Sequence, residues 1–262
     1  MEGVHAAPDP SELRMLAEHA ARETGRLLRT HADRGLRGLD TKSTATDMVS
    51  DADREAEELL QAILLGARPL DGLLGEEGAG VEGETGLRWV VDPLDGTTNF
   101  VFGYPQWAVS VAVEDAEGPL AGAIYDPSRD ELFAAHRKGG ATLNGQRIHV
   151  RATTEIGQAL VATGFGYSSR RRAAQAAQVA SVIAEIRDIR RGGAAAIDLA
   201  WVACGRLDGY WESGLNPWDW AAGSLLVVEA GGRWACAPGP LGADQAVAAC
   251  PGVFDHLSAL VA

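Results

Sequence analysis

Apolar residues first recur at helical spacing between Leu13 and Leu28. Leu13, Leu16, Ala17, Ala20, Ala21, Leu27 and Leu28 mark one face of a helix to about residue 32, with Ser11 as its N-cap. Residues 1–8 read as a loose tail, and 41–53 as a polar loop or edge strand merging into the next helix. That helix, about 48–66, carries Ala56, Leu59, Leu60, Ile63 and Leu64 on its apolar face. The acidic, glycine-rich 75–86 is a loop. RWVVD (88–92) is a short strand, and 107–115, 119–127 and 131–139 alternate like consecutive antiparallel strands. The next strand pair turns at Asn144-Gly145.

Beyond about 150 the pattern changes to alternating strand and helix. Strands are predicted at 159–165, 186–190, 208–213, 233–236 and 245–250. Helices are predicted at 170–185, from Gly192-Gly193 to about 205, from Asn216-Pro217 to about 230, and at 252–261. The expectation is a layered α+β or α/β protein with an N-terminal lobe (1–155) and a C-terminal lobe (156–262).

Composition narrows the function. The net charge of −13 argues against nonspecific nucleic-acid binding and against an anionic membrane surface. No apolar run reaches the ~20 residues of a membrane span, and the first residues lack the pattern of a signal peptide. Cys204, Cys236 and Cys250 are odd in number and widely spaced, so they form neither a disulfide framework nor a zinc site, and a cytoplasmic location is expected. The histidines lack ligand spacing.

Four acidic segments could carry chemistry. DPLDGTTNF (92–100) follows a strand, so Asp92 and Asp95 flank a proline-fixed turn that can aim both carboxylates into one space. Gly96 allows close backbone approach, and Thr97 and Thr98 add hydroxyls and N–H groups. Two such carboxylates would repel, and a divalent cation would remove the conflict. Glu76-Glu77 sits in the acidic loop, Asp219 at the third position of a helix, and Asp47, Asp51 and Asp53 in one polar segment. Taken singly, each also fits a turn, a cap or a solvated loop. GAGVEG (78–83) is not preceded by a strand, so it is no dinucleotide motif, and no GxxxxGK[ST] or GxSxG occurs.

Together these segments resemble the inositol monophosphatase family of Mg²⁺-dependent, lithium-sensitive phosphatases. The resemblance rests on WVVDPLDGTTNF (89–100), LLGEEG (73–78), the Lys42…Asp47…Asp53 segment, RRGGAAAIDLA (190–200), GYWESG (209–214) and NPWDWAAG (216–223). It implies a layered αβαβα sandwich whose first lobe carries most metal ligands. By motif position, Glu76, Asp92 and the Leu94 carbonyl would hold one Mg²⁺, and Asp92, Asp95 and Asp219 a second. A weaker third ion would share Glu76. Gly96 and Thr97 would cradle phosphate, and Asp53 with Thr97 would orient the attacking water. Asp95, Gly193, Ala194, Ala195 and Glu212 would face the alcohol half, with Lys42 and Asp47 in support.

The resemblance implies hydrolysis of a small phosphate monoester, first of all myo-inositol 1-phosphate. Histidinol phosphate, fructose 1,6-bisphosphate and other sugar phosphates are alternatives. Ala194 stands where many relatives have Ser or Thr, Phe102 where many have His, and Gly78 where animal members often have Ser. Thr98 stands where the histidinol-phosphatase branch often has Lys, which favours the inositol type. A homodimer is expected, with Trp201, Trp211 or helix 194–204 as candidate contacts. A different role, as a binding partner of the transcription machinery, would use Arg170, Arg171, Arg172, Arg187, Arg190 and Arg191, which otherwise read as solvated.

Overall fold

A computed structural model describes residues 9–34, 40–41, 48–49, 51–78 and 80–262. Lys42 and Asp47 lie outside the described residues. The first helix, α1 (Pro10–Arg34), is followed by the paired β1 (Asp40–Thr41) and β2 (Met48–Val49), then α2 (Asp51–Ala67). Next come β3 (Gly72–Gly75), β4 (Gly80–Val81), β5 (Arg88–Asp95) and the short α3 (Thr97–Val101). The meander β6 (Ala108–Asp115), β7 (Gly118–Asp126), β8 (Glu131–His136), β9 (Gly140–Leu143) and β10 (Gln146–Arg147) completes an eight-stranded sheet of order β10-β9-β8-β7-β6-β5-β3-β4. Only β3 and β5 run parallel in it.

The second sheet has the order β12-β11-β13-β15-β14. Its elements are β11 (Leu160–Thr163), α4 (Ser169–Val182), β12 (Asp188–Arg190), α5 (Ala195–Ala203), β13 (Gly209–Ser213), α6 (Pro217–Glu229), β14 (Arg233–Pro238), β15 (Asp244–Ala249) and α7 (Pro251–Val261). Here β11 is parallel to both β12 and β13, and the remaining pairs are antiparallel.

Three cores stack the layers. Leu13, Ala17, Ala20, Leu60 and Leu64 of α1 and α2 pack on Trp89, Val91, Val109 and Val111 of the large sheet. On its other face, Val90, Ile124 and Phe133 meet α5 and α6, which fill the middle of the molecule. Those helices are rich in alanine, and at Gly223 a Cβ would come within 2.6 Å of Leu199, so α5 and α6 touch closely. Beyond the second sheet, Val161, Trp211 and Val247 pack with Val182, Val253 and Leu257 of α4 and α7. The result is the expected αβαβα sandwich, with the middle layer drawn from the C-terminal half.

Several local expectations shift. Asp9, not Ser11, caps α1, accepting from the Ser11 N–H at 2.9 Å. The strand β5 is buried on both faces, so it cannot show the alternation of a half-exposed strand. The predicted second helix begins at Asp51, after β2, rather than at 48. Trp211 is 1% exposed and belongs to the core, which removes it as a dimer contact; the Arg129 and Arg206 guanidiniums lie 5.0 and 5.6 Å from the Trp201 ring centre. The hairpin at Asn144-Gly145 is as expected, both residues taking positive φ. Among the described residues no helix is long and apolar enough to cross a membrane.

Candidate active site

The sequence D-P-L-D ends β5 with an irregularity. Asp92 pairs with Ser110 and Asp95 with Ala108, so two residues of β5, Pro93 and Leu94, oppose one of β6. Such a bulge changes the direction of side chains along a strand, and both Asp92 and Asp95 enter one cavity. The Asp92 carboxylate accepts from the Leu94 N–H at 3.0 Å. Gly96 then takes φ 92° and starts α3. A Cβ there would stand 2.9 Å from the Gln106 carbonyl, so conformation and space both require glycine.

The Thr97 hydroxyl lies 3.2 Å from an Asp53 carboxylate oxygen and 3.1 Å from the Leu94 carbonyl, and its proton serves one of them at a time. Asp53, from the first turn of α2, is 1% exposed and meets the cavity through Thr97 rather than lining it. Glu76 follows β3, and the loop is anchored by the Glu77 N–H donating to Glu57 at 2.8 Å.

The C-terminal half supplies the facing residues. Asp95 accepts the Ala195 and Ala196 N–H groups at 3.2 and 2.7 Å, and so caps α5 from across the molecule. Gly193, at φ 89°, makes the turn that presents them. The Asn99 amide donates to the Gln106 and Gly192 carbonyls at 2.7 and 3.0 Å and ties that turn to α3. Asn216 and Asp219 form a reciprocal capping box at α6, with the Asn216 N–H donating to Asp219 at 2.7 Å. Glu212, at the end of β13, accepts from the Tyr210 hydroxyl at 2.7 Å.

These groups surround a cavity of about 520 Å³. Its walls include Glu76, Asp92, Leu94, Asp95, Gly96, Thr97, Gly193, Ala195, Glu212 and Asp219, ten residues that the sequence singled out. Ala194 is not among them: it is 1% exposed and turns its methyl towards Gly96. Sequence reasoning missed Phe165, Tyr167, Trp218 and, as cleft residues, Arg171, Arg172 and Arg191. One signal was available: β11 is followed by the loop into α4, and sites in such sheets open at the carboxyl ends of parallel strands.

Electrostatics sets the chemistry. Burial first, then Glu76, Asp95 and Asp219, push the Asp92 pKa well above the carboxylate range. Burial raises Asp95 to about 7, against the help of the two α5 N–H groups. Asp219 also rises well above its ordinary value through burial and the charges of Glu76, Asp95 and Glu212. Buried carboxylates crowded in this way favour a cation that lets them ionise. All donors are hard oxygens, which suit Mg²⁺ and not a soft or nitrogen-seeking metal. Among the described residues no three acidic, His or Cys side chains form a closed cage. Mg²⁺ does not need one, since it commonly keeps several waters and completes its octahedron with water and substrate oxygens.

A model of the inositol monophosphatase family matches residues 9–258. An inositol-1-monophosphatase of Rhizobium meliloti is 48% identical over 189 residues, covering 71% of each chain. A Nus factor SuhB of Xylella fastidiosa is 44% identical, over 81% of this chain and 78% of its own. The crystal structure of the extragenic suppressor protein suhB from Bartonella henselae superposes with a TM-score of 0.88 at 38% identity, covering 95% of this chain and 98% of that one.

Proposed function

Since the chain belongs to the inositol monophosphatase family and is a phosphatase of small phosphate esters, we propose that its preferred reaction is Mg²⁺-dependent hydrolysis of an inositol phosphate such as myo-inositol 1-phosphate. The observation that carries this reading is the crowding of Glu76, Asp92, Asp95 and Asp219 in one cavity beside the Thr97–Asp53 pair. In this proposal two to three ions are held by Glu76, Asp92, the Leu94 carbonyl, Asp95 and Asp219. Held there, Mg²⁺ would supply a lowered water pKa and charge compensation for the phosphate and the leaving alkoxide.

The chain's own groups supply the positioning. The Gly96 and Thr97 N–H groups, at the start of α3, receive the phosphate oxygens. The Thr97 hydroxyl, backed by buried Asp53 at 3.2 Å, orients the attacking water and accepts the hydrogen bond of its proton. Gly193, Ala195 and Glu212 face the alcohol half; Glu212, held by Tyr210, accepts from a substrate hydroxyl. Uncatalysed phosphate monoester hydrolysis is slow enough to require a barrier reduction approaching ~20 kcal/mol, and positioning alone provides about half.

The test is phosphate release from inositol 1-phosphate, histidinol phosphate, fructose 1,6-bisphosphate and glycerol 2-phosphate, each with Mg²⁺ and with EDTA. Mg²⁺-dependent release led by an inositol phosphate is the expected result; release from none would overturn the reading. The name of the Xylella fastidiosa relative favours a second role, binding to the transcription machinery. An Asp95→Asn variant that kept full cellular function would separate that role from hydrolysis.

A further inference from the structure

The cavity wall beside Glu212 includes the loop 164–167, between β11 and α4. Its two glycines make room for neighbours. A Cβ at Gly164 would stand 1.8 Å from a Glu212 carboxylate oxygen, and one at Gly166 would stand 2.6 Å from the Arg171 Cδ. The Phe165 ring centre lies 5.7 Å from the Arg191 guanidinium carbon. The loop therefore backs Glu212 directly, and a shift of the loop moves the wall that meets the alcohol half of an ester.

That loop is fastened from α4, a weakly packed helix. Of its 14 residues only Gln175 and Val182 are buried, and its first apolar side chain to join a core is Val179. An element with so few apolar contacts opens easily. Gln175 is 3% exposed, and its Oε1 accepts the Gly166 N–H at 2.9 Å. Its Nε2 is buried without a hydrogen-bond partner among the described residues. The orientation of the amide is fixed, because the Gly166 N–H can only donate. One half of this side chain thus lowers stability: an unpaired buried donor carries a cost that an apolar side chain of similar length avoids. The other half does what no apolar side chain can, joining the middle of α4 to the middle of the loop. Arg172 donates to the Gly166 and Tyr167 carbonyls and holds the same loop from its other side.

We propose that Gln175 is a positioning residue for substrate binding, fixing the loop 164–167 where it backs Glu212. This rests on the phosphatase reading and adds to it a residue outside the cavity wall. Gln175 makes and breaks no bond in the ester. It holds the Gly166 N–H, and the loop holds the place of Glu212.

The experiment measures kcat and KM for phosphate release from inositol 1-phosphate with Mg²⁺, together with Tm, in three variants. In Gln175→Met, KM should rise about three- to tenfold, the worth of one net hydrogen bond, with kcat within about twofold of wild type and Tm no lower. A rise in KM at constant kcat marks lost binding rather than lost chemistry. Gln175→Glu keeps an acceptor in the same place and should hold KM within about twofold of wild type. Val182→Ala hollows the core under the same helix and should lower Tm while leaving KM unchanged. Four results overturn the proposal and leave the phosphatase reading intact: an unchanged KM in Gln175→Met, an equal rise in Gln175→Met and Gln175→Glu, an equal rise in Val182→Ala, or a Gln175→Met chain that does not fold. Each assigns Gln175 to packing alone. A wild-type protein that releases phosphate from no ester of the panel overturns both.

Discussion

The two walls of the cleft are built from opposite charges and held by opposite means. On the acidic wall, Asp92 and Asp95 are buried and Asp219 is half-buried, and backbone N–H groups fix each carboxylate: Leu94 for Asp92, Ala195 and Ala196 for Asp95, Asn216 for Asp219. On the basic wall, Arg171 and Arg191 remain solvent-exposed, seated by the missing side chains of Gly166, Gly193 and Gly214. The acidic wall is rigid and electrostatically strained; the basic wall is open. The first suits chemistry that is the same for every phosphate ester. The second suits discrimination among alcohols, where a small displacement changes preference without stopping hydrolysis.

The largest expected effect breaks the acidic wall. Asp95→Asn keeps the side chain's size but removes a charge and one acceptor for the α5 N–H groups. Loss of a hydrogen bond to a metal ligand typically costs 10–100-fold, so if Asp95 holds Mg²⁺ as proposed, its replacement should lower kcat/KM more than ~100-fold for every ester. Steady-state kinetics on inositol 1-phosphate and glycerol 2-phosphate should show equal losses. Unequal losses would mean that Asp95 discriminates among alcohols, and the division between the walls would fail.

Next comes the hinge of that wall. Gly96→Ala places a side chain in the left-handed region, at a cost of about 1–2 kcal/mol, and drives a methyl against the Gln106 carbonyl. Urea unfolding should show a loss of about 2–3 kcal/mol, since strain and overpacking both act. An unchanged midpoint would show that the turn relaxes freely.

The walls should also differ in pH response. Asp95 rises from its ordinary 3.8 to about 7 in the fold, and Asp92 and Asp219 rise as well. A carboxyl raised on folding stabilises the fold while protonated, so that contribution is present below about pH 4 and is lost as pH climbs towards 7. In EDTA, Tm should therefore fall between pH 5 and pH 8. Added Mg²⁺ should raise Tm more at pH 8 than at pH 5, because it binds the ionised form. The arginines stay charged throughout and add nothing to this profile. A flat Tm in EDTA would show that the acidic wall is relaxed without a cation.

The walls differ, too, in how far the sequence reveals them. Asp92 and Asp95 are legible because a strand, a proline and a glycine within five residues define their turn, although the bulge opposite β6 is a tertiary feature. Asn216-Pro217-Trp218-Asp219 is legible for the same reason: the capping box closes within one helical turn. Ser11 misleads because Asp9 offers an equally good cap two residues earlier. The strand β5 resists an alternation test because helices cover both of its faces: Val90 enters one core while Trp89 and Val91 enter another. Arg171 looks like any solvated arginine, because its seat is made by Gly214, 43 positions away along the chain. Sequence patterns report neighbours in the chain, and the basic wall is an arrangement of distant ones.

The smallest effect sharpens the comparison most. Arg170, Arg171 and Arg172 are consecutive, yet only Arg171 and Arg172 line the cavity. Arg170 is exposed outside it, as is Arg187, while Arg190 pairs with Asp188 at 2.7 Å. If the wall acts through held contacts, Arg171→Ala should raise KM for inositol 1-phosphate, whereas Arg170→Ala should change it by less than about twofold and stability by less than about 0.5 kcal/mol. If it acts only as a diffuse positive field, Arg170 and Arg171 should matter about equally, and raising salt from 50 to 300 mM should erase both effects, because exposed charges are screened over ~10 Å. Kinetics of both variants at two salt concentrations separate these cases. Equal effects that vanish with salt would reduce the basic wall to long-range steering; an effect confined to Arg171 would make the glycine seat the structural basis of binding at that wall.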